Sequence, residues 1–116
     1  MTNEEFLQAY TNDVYHARDP EAPARSIADP CLRHEAGELQ TMSLEANNAR
    51  IAGFLARFPK ATFTNKVIVS EGEFLTTVYE ADLGDGSSIS GIEVFRIVGG
   101  KITETWNSHP TPGRWG

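Results

Sequence analysis

Two periodicities divide the chain. Up to Pro59 the apolar residues recur at the three-to-four spacing of a helix, and from Ala61 onward they alternate in the two-residue rhythm of a strand. Phe6, Tyr10, Val14 and Ala17, with Leu7 beside them, form the first stripe, and Thr2-Asn3-Glu4-Glu5 has the spacing of a capping box that starts a helix. Asp19-Pro20 interrupts it. Asp19 as cap and Pro20 at the first helical position predict a second, shorter helix to about Ala28, closed by Pro30. Cys31 to Leu39 reads as a short strand leading into a loop. Ser43 caps a third helix whose apolar face is Leu44, Ile51, Phe54, Leu55 and Phe58, ended by Pro59. Two strands follow, Ala61 to Glu71 and Glu73 to Leu83, hinged at Gly72, with Gly84-Asp85-Gly86 as the next turn. A hairpin from Gly91 to His109 turns at Gly99-Gly100, a pair that takes positive φ at little steric cost. Helices first and then a four-stranded antiparallel meander predict an α+β domain with helices on one face of the sheet.

The hairpin also concentrates the candidate chemistry. Alternation puts Glu93, Phe95 and Ile97 on one face of its first arm and Ile92, Val94, Arg96 and Val98 on the other. On the second arm Thr103, Thr105, Asn107 and His109 lie together, opposite Ile102, Glu104, Trp106 and Ser108. If register joins the two polar-bearing sets, one face gathers a carboxylate, hydroxyls, an amide and an imidazole beside apolar side chains, a lining suited to a small molecule. A carboxylate facing inward at Glu93 would be partly desolvated, which favours its neutral form. The competing reading is an outward Glu93, solvated or paired with Arg96 or Lys101.

Gly-Ile-Glu-Val-Phe-Arg-Ile followed by Gly-Gly-Lys-Ile-Thr-Glu-Thr-Trp-Asn resembles the C-terminal hairpin of the nuclear transport factor 2-like superfamily, especially its SnoaL-like and ketosteroid isomerase branches. The long helix, acidic turn and short helix ending in Ala28-Asp29 resemble that superfamily's opening. The likeness runs to about His109. It implies a sheet curved into a cone, with the helices packed on its concave face around a pocket. It also implies roles. Glu93 matches the acid that, in ketosteroid isomerases, hydrogen-bonds a developing enolate two residues before the Phe. His34 falls at or within one residue of the polar position that follows the second helix, where an imidazole would serve as general base or as the partner of one; a solvent-facing loop histidine is the alternative. Tyr10 lies near a helix tyrosine of the same enzymes, with a core aromatic as its other reading. Tyr10, Phe54, Phe95, Thr105, Asn107 and His109 would line the substrate pocket. Asn107 stands where SnoaL-like enzymes commonly carry Asp, which weakens any mechanism dependent on that acid.

Length and charge narrow the classes. The 116 residues suit one domain, with 110–116 as a tail in which two prolines are expected not to continue a ladder and Trp115 is expected to dock over the cavity mouth or on a partner subunit. A net charge of −6 without basic clusters argues against nucleic acid or anionic membrane as partner. No apolar run is long enough to span a bilayer, and the N-terminus lacks the pattern of a secretory signal, so a cytoplasmic location is expected. Cys31 is the single cysteine, and His16, His34 and His109 lack the spacing of zinc ligands, so neither a metal nor a cofactor is expected. Ile92, Val94, Val98, Ile102 and Trp106 predict an apolar convex face covered by a second copy in a homodimer. Two functional readings stand: a cofactor-free enzyme using Glu93 and His34 as acid and base on a small apolar carbonyl or hydroxyl compound, of isomerase, cyclase or dehydratase type, or a non-catalytic ligand-binding or scaffold domain.

Overall fold

A computed structural model describes all 116 residues. Helix α1 spans Asn3–Tyr10 and continues as a π-helix over Thr11–His16; α2 is Ala22–Ser26 and α3 is Leu44–Arg57. The strands are β1 Ile27–Glu35, β2 Glu38–Met42, β3 Thr62–Glu71, β4 Phe74–Asp82, β5 Ser88–Val98, β6 Lys101–Asn107 and β7 Thr111–Pro112. They form one seven-stranded sheet in the order β2-β1-β6-β5-β4-β3, with β7 paired to β5. The predicted α+β architecture is present, and the sheet is mixed rather than purely antiparallel because β1 runs parallel to β6.

The helix ends follow local chemistry. Thr2 and Glu5 close the capping box at α1, and Ser43 accepts from the Ala46 N–H at the start of α3. The second helix is shorter than the sequence suggests. Its cap is Glu21, while the Asp19 carboxylate accepts from the Glu21 N–H and pairs with Arg25. It stops at Ser26 because Ile27 is β-branched and Pro30 disfavours helical backbone just before it, so the helix ends two residues before the expected Ala28 and the chain extends into β1. The expected loop after Cys31 is instead a hairpin, β1–β2, turning at Ala36-Gly37.

Leu7, Tyr10 and Val14 meet Ile27, Cys31, Ile51, Leu75, Phe95 and Ile102 in the main core. Gly99 and Gly100 both take positive φ, 61° and 76°, as the two-residue β5–β6 turn requires. Just beyond it a register shift between Arg96 and Ile97 interrupts the β5–β6 ladder. Its effect is to break strict alternation on β6. Ile102, expected on the convex face, is buried in the core together with Thr105, while Glu104 and Trp106 remain outside.

The tail also departs from expectation. Beyond Asn107, where β6 ends, Thr111 and Pro112 pair with Ser90 and Ile89 of β5. Proline's missing donor is no obstacle here, since the Gly113 N–H donates to Ser88 O at 2.9 Å. Trp115 docks on β4, its indole N–H donating to Tyr79 O at 2.9 Å, and Arg114 reaches Asp82 at 3.1 Å.

Candidate functional site

A cavity of about 290 Å³ lies between the concave face of the sheet and the helices. Alternation supplies its floor: Cys31, Arg33 and Glu35 from β1, Thr77 and Tyr79 from β4, Glu93 and Phe95 from β5, and Thr105 and Asn107 from β6. The π-helix and α3 supply its roof. A π turn closes i to i+5, here Ala17 N–H to Asn12 O at 2.7 Å, and its wider winding brings Tyr15 round to the same side as Tyr10 and Thr11. The two tyrosine rings meet edge to face at 6.0 Å, and Tyr10 meets Phe95 at 6.4 Å. From α3 come Asn47, Arg50 and Phe54, spaced along one face of the helix.

Three polar groupings line this space. Arg33 holds Glu35 through Nη2 at 2.7 Å and Nε at 3.2 Å. With the Asn107 amide oriented so that donors meet acceptors, its nitrogen donates to Glu93 and its oxygen accepts from Arg33 Nη2 at 3.1 Å. Thr77 donates to Asn65 Oδ1 at 2.8 Å, and Asn65 Nδ2 donates to Thr11 Oγ1 at 3.2 Å.

Burial dominates the titration of the cavity groups. It pushes the Glu93 carboxyl up to about 7, against the downward pull of the Arg33 and Arg50 charges and the Asn107 hydrogen bond. Burial, reinforced by the nearby Glu93 charge, pushes the Tyr79 phenol up to about 12, and it raises Tyr10 well above the usual phenol range. Both phenols are therefore protonated donors at neutral pH. The Cys31 thiol is likewise raised by burial, which leaves it a poor nucleophile.

Of the residues singled out from sequence, Glu93, Tyr10, Phe54, Phe95, Thr105 and Asn107 line the cavity. The alternative pairing of Glu93 does not occur: Arg96 pairs with Glu73 at 3.1 Å and Lys101 donates to Ala24 O. His34 does not join Glu93. It sits on the opposite face of β1, stacked on Trp106 at 5.0 Å with its Nε2 2.7 Å from Glu104 Oε2. The reason is the pleat: Arg33 and Glu35 point inward, so the residue between them points out. His109 is exposed and does not line the cavity, because β6 ends at Asn107 and alternation lapses with it. Arg33, Glu35, Tyr15, Tyr79, Asn47 and Arg50 were not singled out. A sequence signal existed for the last two, since Asn47 and Arg50 stand three and six residues after Leu44, among the apolar positions of α3.

No group of three or more His, Cys, Asp or Glu side chains is arranged to hold a metal ion, and no helix is long and apolar enough to cross a membrane.

The model of the SnoaL-like domain family matches residues 5–105. No curated protein matches by sequence. Among solved structures, a SnoaL-like polyketide cyclase from Agrobacterium tumefaciens superposes with a TM-score of 0.78 at 13% identity, covering 98% of this chain and 93% of its own. A provisionally assigned polyketide cyclase from Acidithiobacillus ferrooxidans gives 0.78 at 19% identity, with 98% and 92% covered. A cystatin-fold protein from Novosphingobium aromaticivorans gives 0.75 at 21%, with 92% and 97% covered. At these identities the likeness is one of fold.

Proposed function

The chain belongs to the SnoaL-like domain family, and within it we propose a cofactor-free enzyme that moves a proton on a small, largely apolar carbonyl or hydroxyl compound, with Glu93 as the proton carrier. The observation that carries this reading is the cavity-facing Glu93 carboxyl, which burial holds at about 7. A group of that pKa takes a proton from carbon in its charged form and returns it in its neutral form, both forms being well populated at neutral pH. Asn107, hydrogen-bonded to Glu93, fixes where that carboxyl points. The protonated Tyr79 and Tyr10 hydroxyls are available to donate to a substrate oxygen as it gains charge. Phe54 and Phe95 provide apolar wall, and Thr105 a hydroxyl beside it. Sequence paired Glu93 with His34; here one carboxyl does both halves of the transfer, because His34 lies on the other face of the sheet.

Hydrogen exchange at the carbons flanking the carbonyl of 2-tetralone in deuterated buffer, followed by NMR, tests the proposal. The wild type should accelerate exchange over buffer, Glu93→Gln should lose that acceleration while remaining folded, and His34→Ala should retain it. Binding of the ketone without faster exchange would instead favour the non-catalytic ligand-binding reading. Unchanged exchange in Glu93→Gln would remove Glu93 from the chemistry.

A further inference from the structure

Arg50 is the cavity's unmatched charge. Arg33 is neutralised by Glu35, and every other ion pair lies elsewhere; no carboxylate comes within 4.0 Å of Arg50. The Tyr10 phenol near the guanidinium, held well above the usual phenol range by burial, stays protonated and cannot balance it. Glu93 is felt at Arg50 only through space and has Asn107 as its own hydrogen-bond partner. A half-buried guanidinium without a counter-charge is unfavourable, and such groups are ordinarily paired.

The atoms around Arg50 are unmatched as well. Asn47 is 3% exposed, and its Oδ1 accepts from Arg50 Nη2 at 3.3 Å, which leaves the two hydrogens of Nδ2 with no partner. Arg50 Nε is buried and also has none. Thr105, 5% exposed on the facing strand, has a hydroxyl in the same state. Three buried polar atoms without partners in one cavity are an exception to the rule that such groups are satisfied. Two of them are N–H donors one turn apart on α3, one of which belongs to the guanidinium.

We propose that the cavity takes an apolar molecule bearing a carboxylate, and that this carboxylate seats against the Arg50 guanidinium and the Asn47 amide. A carboxylate supplies the missing negative charge and two acceptor oxygens for the planar fork and the neighbouring Nδ2. A phosphate would bring more acceptor sites than these donors meet. Phe54, Phe95 and Ile102 supply apolar wall for the body of the molecule. This names the substrate class for the proton-transfer reading given above and rests on it: the carboxylate anchors at the helical roof, and the reacting carbon lies toward Glu93 on the floor.

Calorimetric titration with 2-naphthoate and with 2-naphthamide, a neutral ligand of nearly the same shape, tests the seat. At neutral pH the wild type should bind naphthoate at least about tenfold more tightly than the amide, as a charge-assisted hydrogen bond implies. Arg50→Met should erase the preference by weakening naphthoate alone, and Arg50→Lys should keep part of it. If Arg50→Met does not fold, the wild-type comparison and Arg50→Lys still decide. Equal affinities in the wild type, a preference that survives Arg50→Met, or no binding of naphthoate would each overturn the proposal. Equal affinities together with Glu93-dependent ketone exchange would sink the carboxylate seat alone. A naphthoate preference without any exchange would sink the acid-base reading alone.

Discussion

Glu93 is held near neutrality by opposed influences. Burial favours its neutral form; from β1 the Arg33 guanidinium, from α3 the Arg50 guanidinium and from β6 the Asn107 amide favour the anion, while the Glu35 carboxylate repels it. Its folded pKa, about 7, lies above the 4.5 of the unfolded chain, so as pH rises between those values the unfolded state gives up its proton first. Stability should therefore be highest below about pH 4.5 as far as this group is concerned, fall through the interval, and level off above pH 7. The loss is at most about 3 kcal/mol. Glu93→Gln should flatten that part of the profile and leave the protein more stable than wild type at pH 8, as urea titrations across the range would show; equal slopes in the two proteins would refute it. The inward placement of Glu93 could be read from sequence because a carboxylate stood on an otherwise apolar strand in a hairpin of recognisable spelling. The placement of His34 could not. On a strand an error of one residue is an error of face, and counting from Ala28-Asp29 was no finer than that.

At the scale of elements, caps and turn glycines were legible because each is a local rule: Thr2 with Glu5, Ser43, and Gly99-Gly100 all behave as their neighbours dictate. Features that depend on partners were not. The π turn that unites Tyr10 with Tyr15, the register shift that turns Ile102 inward, and the parallel β1–β6 pairing arise from tertiary packing and leave no local mark. The tail is a similar case, since β7 forms on the line that β6 vacates after Asn107. Trp115 keeps one indole hydrogen bond and is 43% exposed, so Trp115→Ala should cost about 1 kcal/mol. In thermal melts that is a drop of roughly 4 °C. Removal of residues 111–116 should cost more, because it also takes away the β7 pairing and the Arg114 contacts to Asp82 and Glu80. A truncated chain melting with the wild type would show that the docked tail adds nothing.

For the whole molecule, the convex face of the sheet is the surface still to be accounted for. Ile92, Val98 and Phe74 are each more than 40% exposed there, around a half-buried Val94 and Trp106; Ile102 is no longer among them. We propose that a second copy covers this face. Sedimentation at micromolar concentration should give twice 12.8 kDa, and Val94→Asp should shift the species to half that mass; a wild type that sediments as a monomer would end the proposal. The same sheet separates two chemistries by one peptide unit. Arg33 and Glu35 serve the cavity while His34, between them, belongs to the outer face with Trp106 and Glu104, and the irregular stretch between Ile27 and Leu32 sets which is which. That stretch works as a reading frame. Loss of one residue from it, with the β1–β6 pairing re-formed one step along, would bring an imidazole into the place of Arg33 on the cavity face and expel both the arginine and its carboxylate. A chain of this fold could thus exchange an ion pair for a general base through a single deletion, with no side chain from Leu32 onward changed.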